Sequence, residues 1–266
     1  MKTKLDKNDL VHSLSVVIAT HNEAKNLARC LESVNDICDE LIIVDGASND
    51  ETVKIAKTYR AIIIHTTNKT NFHINKQLGN DRASSDIILQ LDADEAVDLE
   101  LFNFIDGLKH LVHLPDDAWW IKRKNIFMGK WMRKGGQYPD PVIRLFKKGR
   151  ARLPQKSVHE QMVVDGQVGW ADGHLIHYSN PTFRVYMEKF NTYSSFAAGQ
   201  LFDQKISLSF INSLKYFLLK PCVTFCSLFL RHKGFMDGWV GFVFALMSAL
   251  QHPVAYIKLW EKYERK

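Results

Sequence analysis

The chain has 266 residues, 46% hydrophobic and 24% charged, which suits one large globular domain or a domain with an appendage. Its formal net charge of +6 lies entirely in residues 205–266, which contain nine Lys and Arg but only three acids. Because this segment is also the most aromatic and apolar part of the chain, the pattern favours an anionic membrane surface over nucleic acid as a partner.

The sequence lacks several common signatures. Its four cysteines have no zinc-site spacing, and the first ten residues contain no apolar segment typical of a secretory signal, so we expect a cytoplasmic protein with free thiols. There is neither a Walker loop nor a G-x-G-x-x-G fingerprint. This argues against an ordinary NTPase or a dinucleotide enzyme.

Short apolar runs alternate with segments of helical periodicity in roughly the first hundred residues. Strands are predicted at Leu14–Ala19, Glu40–Val44, Ala61–His65 and from Ile87 onward. Helices are predicted between them, at 24–34, 51–59 and 75–83. This alternation predicts an α/β fold with a doubly wound, mostly parallel sheet and right-handed crossovers.

The fourth predicted strand runs directly into two acids, Asp92 and Asp94. Open α/β sheets bind ligands at the carboxyl ends of their strands. Two carboxylates at i and i+2 can share a divalent cation there, because hard cations prefer oxygen ligands. The alternative is that Asp92, Asp94 and Glu95 only cap the next helix.

Four separated motifs, VVIATHNEAKNL, IIVDGASNDET, NKQLGNDRA and ILQLDADE, resemble in order and spacing the family-two inverting glycosyltransferases with the GT-A fold. The resemblance implies a catalytic domain over 1–204, with a Rossmann-like nucleotide half at about 1–114 and an acceptor half at 115–204. It also implies a nucleotide-sugar donor and Mg²⁺ or Mn²⁺.

The resemblance assigns roles to individual residues. It implies that Asp92 faces the ribose and phosphates and that Asp94 binds the metal. The expected contacts to the nucleotide come from Thr20, Asn22, Glu23, Asp45, Lys76 and Asn80. Taken singly, Asp45 could be only a helix cap and Lys76 only a solvated helix lysine.

After Leu114 the pattern changes to strands at Trp119–Met128 and Val142–Lys147, the region where such enzymes build the acceptor side. An inverting transferase needs one carboxylate to take the proton of the acceptor hydroxyl. Glu160 is our first choice and Asp140 the second.

Both remaining assignments in this region have alternatives. Glu160 could instead pair with Arg144 or Arg152. His177 could complete the metal sphere, since neutral imidazole is a common ligand, or be a hydrogen-bonded structural histidine.

A helix is predicted at Phe183–Leu201, followed by two apolar-aromatic segments, Ser207–Leu230 and Phe235–Trp260. Lys215, Lys220 and Pro221 interrupt the first segment, and Gln251–Pro253 interrupt the second. We therefore expect residues 205–266 to form amphipathic helices in the membrane interface, which makes the protein peripheral on the inner face of the cell membrane. The alternatives are helices packed on the catalytic domain or an oligomer interface.

The tail motifs LLKP, KGFMDGWVGFVFALMSA and KLWEKYERK resemble the branch that includes bacterial lipopolysaccharide inner-core β-1,4-glucosyltransferases. This implies UDP-glucose as the donor and a lipid-linked oligosaccharide acceptor, with heptose as the accepting sugar. A polyprenyl-phosphate sugar synthase or another surface-polysaccharide transferase is the enzymatic alternative. The synthases usually continue D-A-D with L-Q-H-P, whereas this chain has Glu95–Ala96–Val97. An inactive membrane-docked scaffold is the non-enzymatic alternative.

Overall fold

The computed structural model describes residues 11–69, 71–154 and 161–264. The chain divides into two compact units. The first contains residues 1–123 and 140–177, and the second contains residues 124–139 and 178–266.

The first unit is built on a mixed sheet whose strand order over the described residues is β3-β2-β1-β4-β8-β6-β11-β5. The described strands of the chain are β1 (Leu14–Thr20), β2 (Glu40–Asp45), β3 (Ile62–His65), β4 (Ile87–Asp92), β5 (Glu95–Val97), β6 (Ala118–Phe127), β7 (Lys130–Trp131), β8 (Asp140–Lys147), β9 (Ala151–Arg152), β10 (Val163–Val164) and β11 (Val168–Asn180). Of these, β9 and β10 form a separate two-stranded antiparallel sheet. β1 to β4 pair in parallel, whereas β8 joins β4 in the antiparallel sense. β6 and β11 run on into the second unit, and β7 pairs with β6 there.

Helices cover both faces of the parallel strands. They are α1 (Ala24–Glu32), α2 (Thr52–Thr58), α3 (His73–Arg82) and α4 (Leu99–Lys109). One apolar cluster joins β1, β4, α1 and α4, and a second, on the opposite face, includes Ala83 at the C-terminal end of α3. Since both faces are buried, the strands need the continuous apolar runs seen in the sequence. The predicted doubly wound, mostly parallel sheet is confirmed.

Gly79 sets how closely α3 approaches the sheet. A Cβ atom at this position would lie 2.4 Å from Cγ1 of Val17 and 2.9 Å from Cγ2 of Val44. Any larger side chain would push the helix away from β1 and β2. The glycine therefore holds Lys76 and Asn80 of α3 against the strands.

The second unit contains α5 (Phe183–Asp203) and a pair of antiparallel helical segments. The first segment, residues 210–231, comprises α6 (Phe210–Leu214), a π-helical turn (Lys215–Leu219), α7 (Lys220–Cys226) and a second π turn (Ser227–Arg231). A 3₁₀ turn at Gly234–Asp237 leads into α8 (Gly238–Glu264). We call residues 210–264 the tail hairpin. Tyr216 stacks on Tyr256, and Thr224 bonds His252 at 2.8 Å.

The tail hairpin is more continuous than the sequence suggests. The chain stays helical through Pro221, which lies at the start of α7, and α8 continues through Pro253 to Glu264. Among the described residues, two helices are long and apolar enough to cross a membrane, Phe210–Arg231 with 22 residues and Gly234–Glu264 with 31. Gln251–Pro253 therefore interrupt the run of apolar residues in the sequence but not the helix. The functional division at residue 204 stays a prediction.

Candidate active site

Thr20 and Asp45 form the first part of the site, at the ends of β1 and β2. They are partners in the parallel register, and both are buried. The hydroxyl of Thr20 lies 3.5 Å from Oδ1 of Asp45, and Oδ2 of Asp45 accepts the backbone N–H of Ser48 at 3.1 Å. Since α2 begins later, after Glu51, Asp45 is not the cap of that helix. It holds a turn at the carboxyl edge of the sheet.

The segment after β1 is fixed to the loop after β2. Asn22 adopts φ 57°, a left-handed conformation that asparagine tolerates better than most residues. Its backbone N–H donates to Oγ of Ser48, and its side-chain oxygen accepts the N–H of Asn49, both at 2.9 Å. The neighbouring carboxylate of Glu23 accepts the amide of Asn26 at 2.9 Å. The predicted nucleotide segment Thr20–Glu23 therefore lies beside Asp45.

Asp92 lies between two cations at the end of β4. One carboxylate oxygen pairs with the ammonium of Lys76, and the other accepts a hydrogen bond from the Arg144 guanidinium at 2.5 Å. Arg144 also donates to Oε1 of Gln90 at 2.5 Å and lies 3.7 Å from the buried carboxylate of Glu95. Lys76 is buried, so it is not a solvated helix lysine.

These charges shift one another's protonation equilibria. Burial raises the pKa of Asp92, but the Arg144 guanidinium and the Lys76 ammonium outweigh it and hold this pKa well below its usual range. Burial lowers the pKa of Lys76, and Asp92 offsets part of that effect. The pKa of Arg144 is raised, because Asp92 and Glu95 more than compensate for its burial.

Removing Arg144 should destabilise the protein. An Arg144→Met variant removes one of the two cations paired with Asp92 and a cation beside the fully buried Glu95. We expect a loss of about 3–5 kcal/mol in the free energy of unfolding, the usual effect of breaking a buried pair. Urea unfolding of the purified full chain measures it. The matched control is Arg184→Met, which removes an exposed i,i+4 pair with Glu188 and should change stability by less than about 1 kcal/mol. Equal effects of the two variants would contradict the role of Arg144.

Asp94 and His177 lie next to this cluster. Nε2 of His177 is 3.6 Å from Oδ2 of Asp94, and each side chain keeps about a fifth of its surface exposed. Two ligands of one Mg²⁺ are separated by about 3 Å when adjacent and about 4 Å when opposite, for bonds of about 2.1 Å. The Asp94 oxygen and the His177 nitrogen, 3.6 Å apart, lie between these two separations, so a shift of about 0.6 Å would place them as adjacent ligands of one divalent cation.

The alternative that these acids cap a helix is excluded. α4 begins at Leu99, and its N-cap is Asp98, whose Oδ1 accepts the N–H of Leu101 at 3.0 Å. Asp98 also bonds the backbone and the ring of His174, at 3.0 and 3.1 Å. Asp98, Glu100 and His174 are close enough to hold an ion, but these bonds give Asp98 and His174 a structural role in joining α4 to β11.

Asn80, one turn along α3 from Lys76, is buried. Neither atom of its side-chain amide has a hydrogen-bond partner within the described residues. A buried polar group without a partner costs about 1–3 kcal/mol, so such groups call for an explanation, and a ligand is one. The nucleotide contact expected of Asn80 stays a prediction.

Of the two candidate bases, Glu160 and Asp140, only Asp140 belongs to the described residues. Glu160 lies outside the described residues. Asp140 begins β8, and its carboxylate accepts a hydrogen bond from Arg123 at 2.7 Å. Arg144 is engaged by Asp92 and Gln90, so it has less capacity for the pairing with Glu160 that the sequence left open.

Sequence reasoning did not identify Gln90 or Arg123, and it considered Glu95 as a possible helix cap and Arg144 as a possible partner of Glu160. Arg123 lies 3.6 Å from Glu95, which connects Asp140 to the cluster around Asp92. The available signal was the position of Arg144 within the otherwise apolar strand VIRLF, because an isolated cation in a buried strand requires a buried anion.

Comparisons with known proteins point to glycosyltransferases. The family model for Glycosyl transferase family 2 matches residues 15–160, more than half of the chain. An uncharacterized glycosyltransferase of Rickettsia prowazekii is 29% identical over 92% of this chain and 86% of its own length. The lipopolysaccharide core biosynthesis glycosyltransferase LpsC of Rhizobium meliloti is 27% identical over 95% and 94%.

Among solved structures, TarS 1-349 of S. aureus in complex with UDP-GlcNAc is similar with a TM-score of 0.47 and 16% identity. The match covers 94% of this chain and 89% of that one. The family match and the observed sheet order together confirm the GT-A fold expected from the sequence.

Proposed function

Because the chain belongs to glycosyl transferase family 2, we propose that it is an inverting, metal-dependent hexosyltransferase acting in the synthesis of the lipopolysaccharide inner core. Its donor is UDP-glucose and its acceptor is a heptose on a lipid-linked oligosaccharide. LpsC, which aligns with nearly the whole chain and is named for lipopolysaccharide core biosynthesis, supports this acceptor class.

The observation that carries the proposal is the charge arrangement at the end of β4. Lys76, Arg144 and Arg123 face Asp92, Glu95 and Asp140, so the fixed charges of this cluster balance. Asp94 and His177 stand next to it with ligand atoms for a divalent cation. The carboxylate of Asp94 gives the site one excess negative charge, which attracts a divalent cation, and that cation would offset the two negative charges of a diphosphate. The site therefore suits a metal-bound nucleotide diphosphate.

Each group has a role in the proposed reaction. Thr20, Asn22, Glu23 and Asp45 hold the base and ribose, and Asn80 contributes a further contact. Asp94 and His177 hold Mg²⁺ or Mn²⁺, which when bound would stabilise the negative charge on the leaving diphosphate. Lys76 and Arg144 fix Asp92 in its ionised form toward the ribose and phosphates.

The chemistry is a single displacement at the anomeric carbon. The acceptor hydroxyl oxygen forms a bond to this carbon while the bond to the diphosphate oxygen breaks, so UDP leaves and the configuration inverts. Glu160 takes the hydroxyl proton, and Asp140 is the alternative base.

A lipid-linked acceptor accounts for the tail hairpin. Only 6% of the apolar stretch of Phe210–Arg231 is buried within the protein, so its apolar surface is open. Residues 204–236 contain five Lys and Arg and no acid. We infer that the tail hairpin holds the enzyme at the cytoplasmic face of an anionic membrane, where basic residues and apolar side chains act together.

A donor panel tests the function. Purified full chain with Mn²⁺ and a heptose-containing, lipid-linked core acceptor should transfer glucose from UDP-glucose faster than the sugar of UDP-GlcNAc, UDP-galactose or GDP-mannose. Mass spectrometry of the product identifies the added hexose. Preference for another donor would overturn the glucose assignment. Transfer to polyprenyl phosphate but not to the core acceptor would favour the synthase alternative.

A further inference from the structure

A short basic loop, residues 132–136, is attached to the turn between the two segments of the tail hairpin. The carboxylate of Asp237 accepts the backbone N–H groups of Arg133 at 3.1 Å and Lys134 at 2.8 Å. The N–H of Gly135 donates to the carbonyl of His232 at 3.0 Å. All of these residues belong to the second unit, so the attachment lies within one compact body.

The turn itself is tightly packed. A Cβ atom on Gly234 would lie 2.7 Å from the carbonyl oxygen of Leu228, and one on Gly241 would lie 2.0 Å from the carbonyl oxygen of Gly234. Lys233 adopts a left-handed φ of 56°, which reverses the chain there. The backbone N–H groups of the loop hold it beside the turn, so its position does not depend on the side chains of Arg133 and Lys134.

This packing brings four cationic side chains into one region of the surface. The exposed residues Arg133 and Lys134 from the loop join the exposed Arg231 and Lys233 from the turn. Segments 124–139 and 204–236 contain no acid. The acids that flank these segments along the chain nearest the cations are Asp140, which pairs with Arg123 at 2.7 Å, and Asp237, both of whose oxygens accept backbone N–H groups. These four cations therefore have little local compensation.

Large apolar side chains stand beside the cations. Leu230, Phe235, Met236 and Trp239 are each at least half exposed, and Trp239 is 71% exposed. Protein surfaces at a membrane interface typically place cations at the depth of the lipid phosphates and Trp and Phe just below them. We call these eight residues the junction surface.

We propose that the junction surface binds the phosphates of anionic phospholipid headgroups, with its aromatic and aliphatic side chains inserted among the acyl chains. The inference rests on the membrane association proposed above and adds a partner and a location. It assigns Arg133 and Lys134, which lie far from the tail in sequence, to lipid binding, and it orients the tail hairpin with its turn at the headgroups.

The double variant Arg133→Gln/Lys134→Gln tests this, because it keeps the backbone N–H bonds to Asp237. The matched control is Lys54→Gln/Lys57→Gln, which removes the same charge from exposed positions on α2. Flotation measures binding of the full chain to vesicles of phosphatidylcholine with about 30% phosphatidylglycerol. We expect the loop variant to bind about 30-fold more weakly, from about 1 kcal/mol per basic residue, and the control to match wild type. The difference should shrink in about 0.5 M salt.

Several outcomes would overturn the proposal. Equal binding of the loop variant and wild type would show that the junction surface does not meet the headgroups. If the loop variant binds inorganic phosphate more weakly than wild type but binds the vesicles equally well, the site takes soluble phosphate and not lipid. If the full chain floats with neither anionic nor pure phosphatidylcholine vesicles, membrane association itself fails. These vesicle-binding results do not bear on the donor panel, because the panel also runs with acceptor dispersed in detergent. The transferase reaction is therefore tested separately.

Discussion

Asp94→Ala is expected to abolish sugar transfer, with a loss of at least about a thousandfold in turnover. The change removes one of two candidate metal ligands, and a bound divalent ion is worth several kcal/mol of transition-state stabilisation. Steady-state release of UDP in the presence of Mn²⁺ measures the effect. The fold should persist, because the Asp94 side chain is about one-fifth exposed and lies outside the apolar core.

The matched control for this variant is Asp36→Ala, which removes an exposed acid from the same unit. It should retain wild-type turnover. Circular dichroism of both variants separates loss of chemistry from loss of fold. Full activity of Asp94→Ala in excess chelator would refute the metal role.

Glu160→Gln is expected to slow transfer by roughly two to four decades while leaving UDP-sugar binding near wild type. Gln keeps the size of the side chain but cannot take the proton of the acceptor hydroxyl, and a general base is typically worth that much. Single-turnover transfer with saturating donor measures the chemical step. Glu32→Gln, an exposed change on α1, is the control.

The comparison with Asp140→Asn decides between the two candidate bases. If Glu160→Gln is near wild type while Asp140→Asn is inactive, Asp140 is the base and Glu160 is misassigned. Because Asp140 bonds Arg123, its variant should also be tested for stability before a lost rate is assigned to chemistry.

The fold of the nucleotide half could be predicted from the sequence, because each of its strands is marked by a local run of apolar residues. The apolar runs predict β1 to β4, and polar residues directly after β1, β2 and β4 predict a site at one edge. The register bears this out, since Thr20 pairs with Asp45 and Ala19 with Asp92. Adjacent strands are about 4.8 Å apart, so these side chains must gather within roughly 10 Å.

The partners of Asp92 could not be read from the sequence. Lys76 comes from α3 and Arg144 from an antiparallel strand added to the parallel half, so their meeting depends on tertiary structure. β11 was missed because glycine and aspartate disturb the alternation in VGWADGHLIHYSN. α4 was not identified either, although Asp98 supplies an ordinary N-cap.

The continuous helix of the tail hairpin could not be predicted from the sequence, for a different reason. Pro253 suggests a break, yet it lies buried within a continuous helix whose neighbours pack around it. Tertiary contacts such as Tyr216 on Tyr256 therefore override a local signal that would disfavour a helix in isolation.

Calorimetry of UDP binding with and without Mn²⁺ tests most directly whether the end of β4 is the site of a metal-bound diphosphate. Wild type and the Asp36→Ala control should bind UDP at least about tenfold more tightly when Mn²⁺ is present, whereas Asp94→Ala should show no such gain. A gain that persists in Asp94→Ala, or that is missing in wild type, would contradict the site described here.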